Sequence, residues 1–430
     1  MAVTGLFVAL VALGVVPVIA TGSPWALVVW LVVVAVLTGL DVALAGSPRQ
    51  LTLRRRLPGA IRLGETAEAR LTIVNDGRRT IRGVVRDAWQ PSAGAWPTRR
   101  ALTLPPGGAT TNTTTLTPFR RGVRSADAVT VRTIGPLRLA GRQATHALPG
   151  AVTVLPRFSS RKHLPSRLAR LRELDGRTSV MIRGQGTEFD SLREYVRGDD
   201  VRSIDWRATA RRDEAVVRTW RPERDRRVVV VVDSGRTSAA RIDDEPRLDT
   251  AFESALLLAA LASQAGDRVD VVVVDSRVRA RVQGTSGPAL LSSMVDAMAP
   301  LDPELVETDW AAVPGVVRSV TTRRALVVLA TTVDSPGASR ALLAAVPQLA
   351  RRHLVVVASV TDPTLEALSV ERSSRDAVYR AASAERARLD AARVRAALVQ
   401  SGAEVVTGAP ADLPPALADR YLALKAAGRL

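Results

Sequence analysis

At 430 residues the chain is long enough for two or three folded units. It contains no cysteine, which removes disulfides, thiolate metal sites and cysteine nucleophiles together. Sixty basic against 42 acidic residues leave a net charge of +18, carried chiefly by arginines spread along the chain. No recognition motif accompanies that charge, so only non-specific attraction follows from it and no specific nucleic-acid partner is expected.

The N-terminus is the most apolar part. Residues 3–20 carry no charge and residues 25–45 carry one, Asp41. Each run matches the length needed to cross a hydrocarbon core of about 30 Å, and residues 21–24 leave room only for a tight turn. Residues 1–48 are therefore expected to form a transmembrane hairpin with spans at about 3–20 and 25–45. The first run has no preceding Lys or Arg and a second apolar run follows at once, which speaks against a cleaved signal peptide. Arg49, Arg54, Arg55 and Arg56 follow the second run, placing the remaining chain on the cytoplasmic side of a plasma membrane. Asp41 is expected at the interface.

Residues 50–155 hold about seven short runs rich in Val, Thr, Ile and Leu, separated by Pro-Gly, Asn-Asp-Gly and Pro-Pro-Gly-Gly turns. That pattern predicts an all-β sandwich-like domain. Residues 156–225 form a connector, helical at first. Residues 226–430 alternate continuously apolar strands with amphipathic helices, which predicts an α/β, Rossmann-type domain with a parallel sheet covered on both faces. No helix fits between the runs ending near Asp275 and beginning near Val278, so an antiparallel edge hairpin is expected there.

In an open α/β sheet ligands sit at the carboxyl ends of strands. The first strand ends at Asp233, with Ser234, Gly235, Arg236, Thr237 and Ser238 following. Asp233 and Thr237, joined by Thr285 and Asp334, would offer oxygen ligands to Mg²⁺ or another divalent cation, with Ser234 less well placed. The alternative is that Asp233 and Thr237 only cap loops. This arrangement resembles a von Willebrand factor A domain, whose metal-ion-dependent adhesion site uses an Asp-x-Ser-x-Ser loop, a Thr and an Asp. Gly235 replaces one serine, and Asp334 is displaced by Thr331-Thr332, so the site is degenerate.

The connector carries the densest signal. Residues 183–223 interleave arginines and carboxylates with Phe189, Tyr195, Trp206 and Trp220. Glu188, Asp190, Glu194, Asp199, Asp200 and Asp205 can pair with neighbouring arginines as a brace, and Tyr195 and Trp206 are expected to be buried. The spaced positions Gly186-Thr-Glu188-Phe189-Asp190, Leu192-Arg193-Glu194-Tyr195, Gly198-Asp199-Asp200, Arg202, and Asp205-Trp206-Arg207 within the Ile204–Ala210 run resemble the signature of the bacterial domain of unknown function 58 family. The resemblance implies two N-terminal spans, a β-rich domain and a von Willebrand A-like domain. It also implies a MoxR-type AAA+ ATPase as partner, in an assembly or chaperone-like role, and no reaction. The expected function is that of a membrane-anchored, non-enzymatic scaffold. The alternative is a metal-dependent hydrolase using Glu188, Asp199, Asp200 and Asp205. His146, His163 and His353 fall in three different regions, which argues against a Ser-His-Asp triad.

Overall fold

The computed structural model describes residues 2–181, 188–196, 199–212, 214–221 and 226–430. The chain forms two compact units that divide between Leu155 and Pro156.

In the first unit the leading apolar run is not one helix. It forms α1 (Gly5–Ala12) and α2 (Val15–Thr21), and Ala2–Val3 is a short strand in the β domain. The expected single span at 3–20 is corrected to that extent. The break has a local cause. Pro17 has no N–H to give, and the Gly14 N–H bonds Val11 O at 3.1 Å instead of the carbonyl one residue earlier. Leu10 O is left over, and the Trp30 indole N–H from α3 (Trp25–Leu44) takes it at 2.9 Å. A Cβ on Gly14 would lie 2.6 Å from the Trp30 ring, so glycine is what lets the two segments close. α3 is the one helix among the described residues long and apolar enough to cross a membrane.

The β domain has seven main strands: β1 (Leu51–Arg56), β2 (Ala67–Asn75), β3 (Ile81–Trp89), β4 (Arg99–Leu104), β5 (Ala109–Leu116), β6 (Gly122–Ile134) and β7 (Ala140–Leu155). One sheet runs β7-β6-β3-β4. The other runs β1-β2-β5, and both are antiparallel along these paths. Leu51, Leu71 and Ile73 from the second sheet pack with Ile81, Val85, Leu102, Leu104, Val129 and Val131 from the first, so the two sheets share a core.

Asp41 lies in the last turn of α3 and is fully buried, not solvated at an interface. Its carboxylate accepts the backbone N–H groups of Leu137 (2.7 Å), Leu139 (2.8 Å) and Ala140 (3.0 Å) from the β6–β7 turn. Arg142 Nε donates to Val42 O at 3.0 Å and the Arg79 guanidinium to Ala43 O, so cations cap the carbonyl end of the helix.

The second unit contains α4 (Leu164–Met181), β8 (Glu188–Glu194), α5 (Trp206–Arg212) and β9 (Val216–Arg221). Then follow β10 (Arg227–Asp233), α6 (Arg247–Gln264), β11 (Arg268–Val274), β12 (Val278–Val282), α7 (Gly287–Met298), α8 (Val313–Val320), β13 (Leu326–Ala330), α9 (Arg340–Ala350), β14 (Leu354–Val360), α10 (Pro363–Val370), α11 (Arg375–Gln400), β15 (Ala403–Gly408) and α12 (Leu413–Ala426). The sheet order is β12-β11-β10-β13-β14-β15, parallel except for the β12 edge. The expected antiparallel edge hairpin is there. The run Val228–Val232 is wholly buried because both faces are covered. Val229 and Val231 pack with α8, α9 and α11, while the thirteen buried residues of α6 fill the opposite side.

Candidate functional site

The sheet order reverses at β10, because the chain builds β11 on one side of it and β13 on the other. That makes the carboxyl end of β10 a topological switch point, where loops diverge and leave a crevice. Asp233 closes the strand and is 1% exposed.

Four donors converge on its carboxylate. Oδ1 accepts the Gly235 N–H at 2.8 Å and the Thr308 hydroxyl at 2.5 Å. Oδ2 accepts the Thr331 hydroxyl at 2.6 Å and the Thr237 hydroxyl at 3.3 Å. These fill the four or so acceptor positions that a carboxylate has. Ser238 Oγ donates to Asp233 O at 2.7 Å and tightens the loop. Ser234 is turned away, donating to Val274 O at 3.1 Å and to Asp275 at 3.4 Å.

The loop 302–309 is laced onto this one. Glu304 N–H reaches Ser234 O, Arg236 N–H reaches Val306 O, and Asp309 N–H reaches Asp275 O, at 2.9, 2.9 and 3.0 Å. It brings Thr308 so close that a Cβ on Gly235 would lie 2.3 Å from the Thr308 hydroxyl. A serine at position 235 would therefore force the Thr308 side chain, and Val306 O at 2.9 Å, to shift. Beside the network Asp275 is buried. Burial pushes its carboxyl up, but the Arg279 guanidinium and the Arg277 amide outweigh that and hold it below the usual carboxylate range.

In the signature region β8 pairs antiparallel with β9, setting Glu188 opposite Arg221 and Phe189 opposite Trp220. Arg193 pairs with Asp199 at 2.6 Å, and Asp205 with Arg218 at 2.8 Å. The Arg193 hydrogen bond is the main reason the Asp199 carboxyl lies below its ordinary range. Asp200 accepts the Arg202 N–H at 3.0 Å. Asp205 caps α5, accepting the Arg207 and Ala208 N–H groups at 3.0 Å each, which with Arg218 lowers its carboxyl too. Asp199, Asp200 and Asp205 serve separate local caps and pairs; the side chains of Glu188, Phe189 and Asp190 lie outside the described residues. Tyr195 is half-buried. Trp206, at the first position of the seven-residue helix α5, is 69% exposed, contrary to the burial expected. Arg202 and Arg207 are exposed. Gly198 lies outside the described residues.

Sequence comparison decides the family. "Protein of unknown function DUF58" matches residues 191–404, covering the second half of the signature and the sheet through the start of β15. Residues 191–404 belong to the DUF58 family. Uncharacterized proteins of Mycobacterium tuberculosis and Mycobacterium bovis are each 29% identical to it over 229 residues, 48% of this chain and 71% of theirs. The SpRpn10 VWA domain overlaps 46% of this DUF58 chain and 94% of its own length, with TM-score 0.27 at 10% identity. A CARDB domain from Pyrococcus furiosus overlaps 24% of this chain and 86% of its own length, with TM-score 0.18 at 18% identity. The strand order, with one antiparallel edge strand, is that of an open, doubly wound α/β sheet.

Of the four expected ligands in this DUF58 protein, Asp233 and Thr237 come together and the other two do not. Thr285 lies between β12 and α7 and is not among the residues lining the cavity at Asp233; Thr308 from the next loop takes that place. Asp334 receives Arg247 Nη1 at 3.1 and 3.2 Å, so its carboxylate is spent on an ion pair. Thr331 stands at the end of β13, where a second carboxylate would have faced Asp233. One hint of this is legible in the sequence, the Thr331-Thr332 pair after an apolar strand; nothing marks Thr308.

The cavity beside Asp233, of ≈ 20 Å³, is lined by Thr237, Thr308, Thr331 and Thr332, with Arg236 and Glu307 at its mouth. It has room for about one water or ion. A resident dication needs about six oxygens and compensation of its charge. Asp233, the four neutral threonine hydroxyls and a Glu307 paired with Arg236 supply neither in full, and the Asp233 carboxylate already accepts four donors. The residues present do not make a resident divalent-cation site. Among the described residues no group of three or more His, Asp and Glu side chains is placed to hold a metal.

Proposed function

We propose that this DUF58 protein is a membrane-anchored, non-enzymatic scaffold whose von Willebrand A-like domain and signature hairpin dock a protein partner, with a MoxR-type AAA+ ATPase as the expected one. The observation that carries this reading is the signature surface. Trp206, Val196 and Val201 are 69, 61 and 59% exposed beside the exposed Arg202 and Arg207. Exposed aromatic and arginine side chains are the residues that interfaces favour. The exposed Leu305, in the loop that reaches Asp233, adds a second apolar contact at the crevice. The hydrolase alternative would need Asp199, Asp200 and Asp205 to converge on shared ions; their commitment to separate caps and pairs weighs against it.

The anchor is a two-segment membrane hairpin. What supports it is the Trp30–Leu10 hydrogen bond between its arms and the return of both ends to one turn of the β-sandwich. The soluble domains then lie on the cytoplasmic side.

Co-purification of the full chain with the MoxR-type ATPase tests the docking reading. Trp206→Ala is expected to lower recovery of the partner about tenfold or more, on the scale of an interface anchor. Unchanged recovery with both Trp206→Ala and Leu305→Ser would remove the docking assignment.

A further inference from the structure

We propose that the helix-bearing end of the β domain is a lipid-contacting face that binds anionic phospholipid headgroups through Arg49, Arg78 and Arg138, with Leu137 inserted at the interface. The proposal rests on the membrane-anchor reading and extends it from helices α1–α3 to the folded domain.

The register fixes which loops lie at that end. β1 leaves the helices at Leu51, which pairs with Asn75 at the end of β2. Ile81 at the start of β3 pairs with Leu104 at the end of β4. Ile134 at the end of β6 pairs with Gly141 at the start of β7. Residues 46–50, 75–80, 104–108 and 135–140 therefore share one end of the domain, and the helices enter there. Those loops carry Arg49, Arg78 and Arg138 as exposed cations, with Arg79 already capping α3. The one exposed acid among them, Asp76, accepts a hydrogen bond from Thr52.

The depth of the β6–β7 turn follows from its bonds. Leu137 N–H is tied to Asp41 in the last turn of α3, and Thr4, just before α1, gives its N–H to Leu139 O at 3.0 Å and its hydroxyl to Arg138 O at 2.6 Å. The turn is held level with the ends of both helical arms. Whatever lipid surrounds those ends also surrounds Leu137, which is 43% exposed, and Arg138. Arg138 sits at φ 61, a left-handed conformation uncommon for a long side chain and held by the bonds on either side of it. An apolar tip flanked by arginines at headgroup depth matches an anionic leaflet, where each basic group near the surface is worth on the order of fivefold in binding.

The absence of cysteine makes the test direct. The full chain is reconstituted in nanodiscs of phosphatidylcholine alone or with phosphatidylglycerol. Nitroxide labels are placed singly at Leu137→Cys, at Val33→Cys within α3, and at Phe119→Cys at the far end of the β domain. Accessibility to oxygen and to a water-soluble nickel complex is then read by electron paramagnetic resonance. The expected result is a lipid-buried label at 33, a headgroup-depth label at 137 and a water-exposed label at 119. The label at 137 should sink further in the anionic discs, and Arg49→Gln, Arg78→Gln, Arg138→Gln together should abolish that difference. A label at 137 as water-exposed as that at 119, with 33 in lipid, overturns the proposal. A label at 33 in water overturns the anchor reading itself. Equal depth at 137 in both kinds of disc overturns the headgroup assignment.

Discussion

At the scale of single residues, the Asp233 network decides what the crevice can do. Asp233→Ala would strand three hydroxyls and one amide around a vacated space, at a cost of roughly 3 kcal/mol. Urea denaturation of the variant checks this, and a midpoint equal to the parent's would show that the hydroxyls find other partners. Thr331→Asp restores a second carboxylate opposite the first. It is expected to create Mn²⁺ affinity that the parent lacks, seen as a metal-dependent rise in thermal midpoint; a parent that already responds to Mn²⁺ would contradict the account of the site. The acid limb of stability belongs here as well. Asp275 and Glu404 both titrate below their ordinary range. For Asp275, burial acts upward and is outweighed by Arg279; for Glu404 the Arg420 hydrogen bond is the leading cause. A depressed carboxyl contributes stability that is fully present above its unfolded value, about 4, and is lost as pH falls through the folded one. The thermal midpoint should therefore hold down to about pH 5 and fall below it, and Asp275→Asn should flatten that fall. An identical acid limb in the variant would take Asp275 out of the explanation.

At the scale of elements, the junction between α3 and the β6–β7 turn ties the apolar helices to the β domain. A Cβ on Gly135 would lie 2.2 Å from the Asp41 carboxylate, so Gly135→Ala must push the helix end and the turn apart. Roughly 3 kcal/mol of destabilisation is expected from that overpacking and the loss of up to three charge-assisted bonds. Protease nicking at the turn, compared with the parent in detergent, reports it; equal resistance would show that the junction is soft. The signature hairpin behaves differently. Asp200 and Asp205 are used locally, as caps of the short turn Val201–Ser203 and of α5, so their presence in the sequence says little about long-range bracing. Its exposed apolar side chains are what the proposed docking role rests on.

At the scale of the whole molecule, the sequence and the tertiary structure divide the work clearly. The proposed cytoplasmic placement is checked by proteolysis of intact cells against inverted vesicles; digestion of the soluble part from outside intact cells would reverse it. The β domain and the mixed α/β sheet were legible because period-2 alternation and wholly apolar strands are properties of burial on one face or two, which the chain carries residue by residue. The edge hairpin at Val278 was legible because the three residues between Val274 and Val278 leave no room for a crossover helix. The break in the first apolar run was half legible, since Gly14 and Pro17 were visible but the Trp30 bond that completes it crosses twenty residues. Thr308 and Thr331 were not legible as partners of Asp233. They stand 75 and 98 residues away from it, and hydroxyls have no spacing rule that links them before the strands pair. Asp41 shows the same limit, because a lone carboxylate in an apolar run is costly wherever it sits until backbone donors from a distant turn meet it. By itself the sequence determined which segments are greasy, pleated or helical, because those are local consequences of side-chain chemistry. Only the tertiary structure decided which polar groups saturate one another, because that depends on chain segments brought together across the sheet.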